Sequence, residues 1–182
     1  TIEGAPDYDM GMILNIYTDA GSGEHNDVWP KEWAVDYIRV WKANEGYQKV
    51  TKEYNIQNRQ TGHYMYIDPD SNAVKYGPLT DENAAYAKWE KVKRGDYVLL
   101  KNCETGEYLH IENLTGYVEH GEVPTTWWSA QWTESEVDGY TRLINRWQPD
   151  YSIHTEDYQW LIQYGNVPTT YWTSQWRFIQ TN

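Results

Sequence analysis

The chain has 182 residues, a formal net charge of -12 and one cysteine, with a mean hydropathy of -0.86. No apolar run approaches the roughly 18 residues of a membrane span. The acidity argues against nucleic acid, whose phosphates demand a basic face. A lone Cys103 cannot form an intrachain disulfide, and it reads as a small buried residue. The length suits one domain of ordinary size, or one domain plus a fragment of another. Against 11 Trp and 17 Tyr stands a single Phe, so the rings carry polar handles suited to half-wet surfaces as well as to a core.

In chain order, residues 1–43 come first. MGMILNIYTDAG and DVWPKEWAVDYIRVWK read as two strands joined by a loop, the second ending in alternating Val35, Tyr37, Ile38 and Val40. Residues 44–50 form a linker.

Residues 51–182 then repeat a unit three times, over about 54–96, 97–139 and 140–182. Four anchors keep register across the repeats: Asn58/Asn102/Asn145, Tyr64/Tyr108/Tyr151, Gly77/Gly121/Gly165 and Trp89/Trp132/Trp176. GEVPTTWWSAQW in the second repeat answers GNVPTTYWTSQW in the third. Within a repeat, short β-branched or aromatic runs such as Tyr97–Leu100 and Tyr108–Ile111 are cut by turn clusters such as Glu104-Thr105-Gly106. No stretch sustains helical periodicity. Four short strands per repeat give an all-β body. Three blades fall short of a propeller, so the pattern predicts a β-trefoil of three ~44-residue repeats.

In that fold the three anchor Trp residues fill the barrel with Val74, Val118 and Ile162. The anchor glycines are expected to adopt backbone angles that bulkier residues resist. Asp68-Pro69-Asp70-Ser71-Asn72 reads as a turn rather than a calcium loop, since the Gly and distal Glu of such a loop are missing. Glu134, Glu136 and Asp138 read as a solvated connector. The histidines show no metal-ligand spacing, and neither a metal nor a cofactor is expected.

The Gln131-Trp132 and Gln175-Trp176 pairs resemble the Gln-x-Trp signature of ricin-B-type trefoils. The fuller pattern, Tyr-Gly or His-Gly, then Val-Pro-Thr-Thr, then Trp-Ser/Thr-Ala/Ser-Gln-Trp, is similar to carbohydrate-binding module family 92. The Val-Asp-Tyr-Ile-Arg-Val stretch resembles the closing strand of a glycoside hydrolase family 16 jelly roll. Together these resemblances imply a secreted or cell-surface polysaccharide hydrolase carrying a trefoil binding module, with residues 1–43 the end of its catalytic domain. The acid pair that family uses, spaced Glu-x-Asp-x-x-Glu, does not occur in the chain, so the chain itself is expected not to be an enzyme.

Three sets of residues are candidates for sugar contact in each third. One is the residue before the anchor glycine, Tyr76, His120 and Tyr164, which the ricin-type resemblance makes the stacking aromatic. A second is the ring four places before the closing Trp, Trp128 and Trp172, with Tyr86 as the first repeat's equivalent. The third is the outward residue of the third strand, Lys75, Glu119 and Gln163. Strand alternation turns Trp127 and Tyr171 away from their neighbours, leaving one ring of each pair exposed. The first repeat lacks Val-Pro-Thr-Thr and has Lys88 for Gln. The expected function is a monomeric, potentially multivalent binder of polysaccharide, a β-1,3/β-1,6-glucan first. A red-algal galactan such as carrageenan or agar is the alternative, and a protein-interaction trefoil is the rival of another class.

Overall fold

The computed structural model describes residues 51–156 and 160–181. The expectations for residues 1–43 and for the 44–50 linker lie outside the described residues. Twelve strands run through the described residues: β1 Glu53–Asn58, β2 Tyr64–Ile67, β3 Val74–Gly77, β4 Lys88–Arg94, β5 Tyr97–Asn102, β6 Tyr108–His110, β7 Glu119–Gly121, β8 Trp132–Val137, β9 Tyr140–Asn145, β10 Ser152–His154, β11 Gln163–Gly165 and β12 Trp176–Gln180. That is four per repeat, as the spacing predicts.

Antiparallel pairing closes six of them into a ring. β1 pairs with β4, β4 with β5, β5 with β8, β8 with β9, β9 with β12, and β12 back onto β1. The remaining strands form three hairpins, β2–β3, β6–β7 and β10–β11. These cap one end of the barrel and bond to one another through Val118 N–H to Ile162 O (2.8 Å) and Ile162 N–H to Val74 O (3.0 Å). A closed six-strand barrel with a three-hairpin cap is a β-trefoil. Because the ring leaves the barrel with no edge strand, it offers no unpaired ladder to another chain.

Local chemistry explains the tight corners. β8 and β9 are joined by Asp138-Gly139 alone, both at positive φ (53° and 78°), and Val137 faces Tyr140 across the turn. Asp-Gly in this conformation matches the right-handed twist of a two-residue hairpin. Glu134 and Glu136 therefore lie on a strand, not in a connector, and Glu134 pairs with Lys91 at 2.5 Å. The Asp68–Asn72 segment is a turn. It is closed by Asn72 N–H to Asp68 O at 2.8 Å, and its Asp68 carboxylate takes hydrogen bonds from Lys75 and Ser71.

Trp89, Trp132 and Trp176 are fully buried in the barrel, with Ile56, Leu100 and Leu143 below the cap residues Val74, Val118 and Ile162. Two of the three indoles have a partner: Trp89 donates to Met65 O (3.0 Å) and Trp176 to Ile153 O (3.2 Å). The N–H of Trp132 is buried without one. Removing an unpaired buried donor loses no bond, whereas removing a paired one orphans its acceptor. Trp132→Phe is therefore expected to cost about 1–2 kcal/mol less than Trp89→Phe in urea unfolding.

The anchor glycines do not need unusual backbone angles, contrary to the sequence expectation, because none has a positive φ. Their reason is close approach. A Cβ would sit 3.3 Å from the Tyr66 ring at Gly77, 3.3 Å from His110 Nε2 at Gly121 and 3.1 Å from His154 Nε2 at Gly165.

Candidate functional site

The anchor asparagines connect the barrel to the surface loops. Asn102 Nδ2 donates to Tyr86 O (2.7 Å), Asn145 Nδ2 to Ser129 O (2.8 Å) and Asn58 Nδ2 to Thr173 O (2.8 Å). Each asparagine thus holds the loop before the closing Trp of the preceding repeat, and Asn58 closes the circle between the first repeat and the third.

This register places Tyr86 with Ser129 and Thr173, not with Trp128 and Trp172. The first-repeat position equivalent to those indoles is Ala85. Tyr86 is only partly exposed and packs against the core, so it forms no ledge.

Trp128 and Trp172 are 54% and 50% exposed. Trp127 and Tyr171 are exposed as well, which overturns the expectation of one exposed ring per pair. Each pair opens a single 3₁₀ turn, Trp128–Ala130 or Trp172–Ser174, and the strict facing rule of a strand does not apply in such a turn.

Both indoles are held by an arginine, a bracing role that the sequence reading assigned to neither Arg59 nor Arg146. Arg146 Cζ lies 4.2 Å from the Trp128 ring centroid and 4.3 Å from that of Tyr97. Arg59 Cζ lies 4.3 Å from Trp172 and 4.6 Å from Tyr140. Each guanidinium also donates to the glutamine of the closing Gln-Trp pair, Arg146 to Gln131 Oε1 (2.6 Å) and Arg59 to Gln175 Oε1 (2.5 Å). The buried glutamines brace the Val-Pro-Thr-Thr loops through Thr125 O and Thr169 O, both at 2.8 Å. The repeated Asn-Arg dipeptide, Asn58-Arg59 and Asn145-Arg146, was the available signal.

In the first repeat's version of this site, Lys88 replaces the glutamine, Cys103 the arginine and Ala85 the tryptophan. Cys103 is exposed there, not buried as expected. Partial burial of the thiol, with Glu53 and Glu90 nearby, pushes its pKa up to about 11, so it is a poor nucleophile at neutral pH. Among the described residues two sites are built, not three.

In the second repeat, Glu112, Trp127, Trp128 and Ser129 form an open cleft of about 270 Å³, walled on its far side by Trp147 from the next repeat. Trp147 is another residue the sequence reading missed. The third repeat's counterpart carries Glu156 and Thr173 in a larger cleft of about 660 Å³, and Thr173 Oγ1 donates to Glu156 Oε1 at 3.3 Å.

The acid loops are set by histidines. His110 Nδ1 accepts from Glu112 N–H (3.2 Å) and His154 Nδ1 from Glu156 N–H (3.4 Å). Burial depresses the pKa of His110 below 6.5, outweighing the opposing pull of Glu119. The folded state therefore binds this proton less readily than the unfolded chain. Stability contributed by neutral His110 is present above pH 6.5 and is lost as pH falls through that value towards the lower folded pKa. His110→Tyr, the residue the first repeat uses as Tyr66, is expected to reduce the loss of thermal stability between pH 7.5 and 5.5 relative to wild type.

The other predicted residues lie at the cap, and of them Tyr76 alone lines one of these clefts. Tyr76 and Tyr164 are only 5% and 7% exposed. The hydroxyl of Tyr164 accepts from Gly116 N–H (3.2 Å), and the Tyr76 ring packs at a tilt against Trp160, centroids 5.4 Å apart. His120 Nε2 lies 3.0 Å from Asn72 O, and its Nδ1 lies 2.6 Å from Glu107 Oε2. Each of the three reaches the same turn of the preceding repeat, so they strut one repeat against the next. Tyr164 has no open face for a ring to stack on, whereas Tyr76 touches the third repeat's cleft at its edge. Glu119 and His120 line a separate cap cavity of about 380 Å³, and Glu119 accepts from Asn113 Nδ2 at 3.1 Å. Lys75 is tied to Asp68, and Gln163 lies in β11 opposite His154.

The fold and clefts define a β-trefoil bearing two exposed, arginine-backed tryptophans. No protein-family model matches the chain, and no curated protein does. Among solved structures, the chain is similar to a GlcNAcα1-4Gal-releasing endo-β-galactosidase from Clostridium perfringens. The two share 62% identity with a TM-score of 0.71, over 91% of this chain and 41% of that one. The chain thus spans well under half of that protein. It is also similar to the designed threefold-symmetric protein ThreeFoil, at 18% identity and a TM-score of 0.62, over 70% of this chain and 97% of that one. SeviL, solved bound to asialo-GM1 saccharide, gives 14% identity and a TM-score of 0.58, over 72% and 99%. The last two likenesses show the β-trefoil fold.

Proposed function

We propose that the trefoil is a non-catalytic carbohydrate-binding module with two working sites, which tethers a secreted polysaccharide-degrading enzyme to its substrate as a monomer. The observation that carries this reading is the pair of threefold-related, half-exposed indoles, each backed by an arginine, with Trp128 lining one cleft and Trp172 directly preceding Thr173 in the wall of the other. An indole fixed in this way offers its free face to the C–H face of a pyranose. Glu112 or Glu156 beside it supplies an acceptor for sugar hydroxyls. Pre-fixing the ring lowers the ordering cost of binding.

The ligand is a neutral glycan. A carboxylate in each cleft and an overall charge of -12 repel sulfated chains, which places carrageenan behind uncharged polymers. The high identity to part of an enzyme named for releasing GlcNAcα1-4Gal supports a galactose-containing glycan. Among polymers without galactose, a β-1,3/β-1,6-glucan is the second reading, since a ring face recognises both.

Affinity electrophoresis in gels containing galactose-rich mucin glycans, agarose, laminarin, pustulan or carrageenan tests the proposal. Retardation by a neutral glycan is expected. Retardation by none of them refutes it in favour of a protein partner, and reducing-sugar release by this chain would overturn its non-catalytic role.

A further inference from the structure

The two clefts differ in size, about 270 Å³ against about 660 Å³, and Trp160 lines only the larger one. This residue lies two places before Ile162, where the first and second repeats have Asn72 and Gly116, and all three adopt positive φ (54°, 87° and 64° for Trp160). Asn and Gly visit this conformation readily, but a tryptophan there is strained. Even so, its indole is 51% exposed. It is not a core residue forced into an awkward turn. Strain retained in a surface aromatic points to a use for the ring.

Its surroundings suit such a use. The Trp160 ring packs 5.4 Å from both His63 and Tyr76, which fixes its orientation, and its carbonyl accepts from Tyr76 N–H at 2.9 Å. Together with Gln60, Thr61, Thr155, Glu156 and Thr173 these three residues line the 660 Å³ cleft. Glu156 and Thr173 are the counterparts of Glu112 and Ser129 beside Trp128, and Thr173 directly follows Trp172. The buried Nδ1 of His63, in the same wall, has no hydrogen-bond partner. The second repeat has Gly116 in place of Trp160 and closes its smaller cleft with Trp147.

We propose that Trp160 is a second stacking platform. With it, the third repeat's cleft binds at least two consecutive residues of a neutral, β-linked glycan chain, while the second repeat's cleft holds a shorter stretch. This rests on reading the clefts as sugar sites. Hydroxyl partners in the cleft that Trp160 lines come from Glu156, Thr155, Thr61 and Gln60, a set of carboxylate, hydroxyl and amide groups matched to an uncharged polyol.

The test isolates the third-repeat site in a Trp128→Ala background and titrates β-linked galacto- and gluco-oligosaccharides of one, two and four residues by calorimetry. In the better-bound series, affinity is expected to rise about tenfold from monosaccharide to tetrasaccharide, roughly 1.4 kcal/mol. Trp160→Gly, which installs the second repeat's residue, is expected to abolish that gain, and Trp160→Asn serves if the glycine variant folds poorly. A length gain that persists in these variants, or equal affinity for one and four residues before Trp160 is changed, overturns the proposal and leaves the sugar-site reading intact. Failure of every saccharide to bind even the wild type overturns both.

Discussion

Retention on a neutral glycan is expected to vanish in a Trp128→Ala, Trp172→Ala double variant that remains folded. Both indoles are half exposed, and the arginines beneath them keep their bonds to Gln131 and Gln175 when the rings are cut away. The barrel core contains neither residue, so the thermal midpoint should move by only a few degrees. What is lost is the stacking face. If the two sites engage one polymer together, avidity exceeds either affinity by about 10²–10⁴, so each single variant already forfeits most of the retention. Affinity electrophoresis and circular dichroism on the same samples separate the outcomes. Global unfolding would make the rings structural, and undiminished retention would move the sites elsewhere.

Asn145→Leu is expected to destabilise the trefoil by about 3–5 kcal/mol, because three buried or half-buried polar groups lose their partner at once. The side chain of Asn145 donates to Ser129 O (2.8 Å) and accepts from Trp147 N–H (2.9 Å) and Gln148 N–H (3.2 Å). Asn145→Asp keeps both acceptor bonds but turns a carboxylate oxygen towards the Ser129 carbonyl. It should lie between wild type and leucine, with its deficit growing as the acid ionises. Urea unfolding measures both. Ser129 follows Trp128 and Trp147 walls the same cleft, so a milder variant at this position should also weaken glycan binding. A Leu variant as stable as wild type would show that the asparagine ring contributes nothing to closure.

Much of the fold was legible in the spacing of a few residues, for a physical reason. Trp89, Trp132 and Trp176 fill equivalent volumes of one barrel, and Asn58, Asn102 and Asn145 repeat one set of hydrogen bonds. Packing and polar satisfaction therefore force the same residue at the same interval. The clefts were legible only in part. Trp128 and Trp172 belong to a repeated motif, but Tyr76, His120 and Tyr164, which repeat just as faithfully, face the neighbouring repeat. Periodicity reports equivalent surroundings and says nothing about whether those surroundings are wet. Tyr86 misled because a ring one residue out of register still looks like a member of the series. The count from Trp89 already points to Ala85, and the asparagine-to-carbonyl bonds confirm that alignment. Trp147 and Trp160 were overlooked for the opposite reason, since they break the repeat, standing where the other repeats have Gln60 or Glu104 and Asn72 or Gly116. The exception in an otherwise regular pattern was the better pointer to the surface.

The pairing of β1 with β12 brings the two ends of the barrel together, with Thr181 N–H donating to Glu53 O at 3.0 Å. A circular permutant follows from that adjacency. Splicing position 181 to position 53 with a short connector and cutting the chain between Asp138 and Gly139 preserves every ladder while moving both termini to the opposite hairpin. Such a rearranged chain could be inserted into a surface loop of an unrelated host by two neighbouring attachment points, without either domain having to stretch.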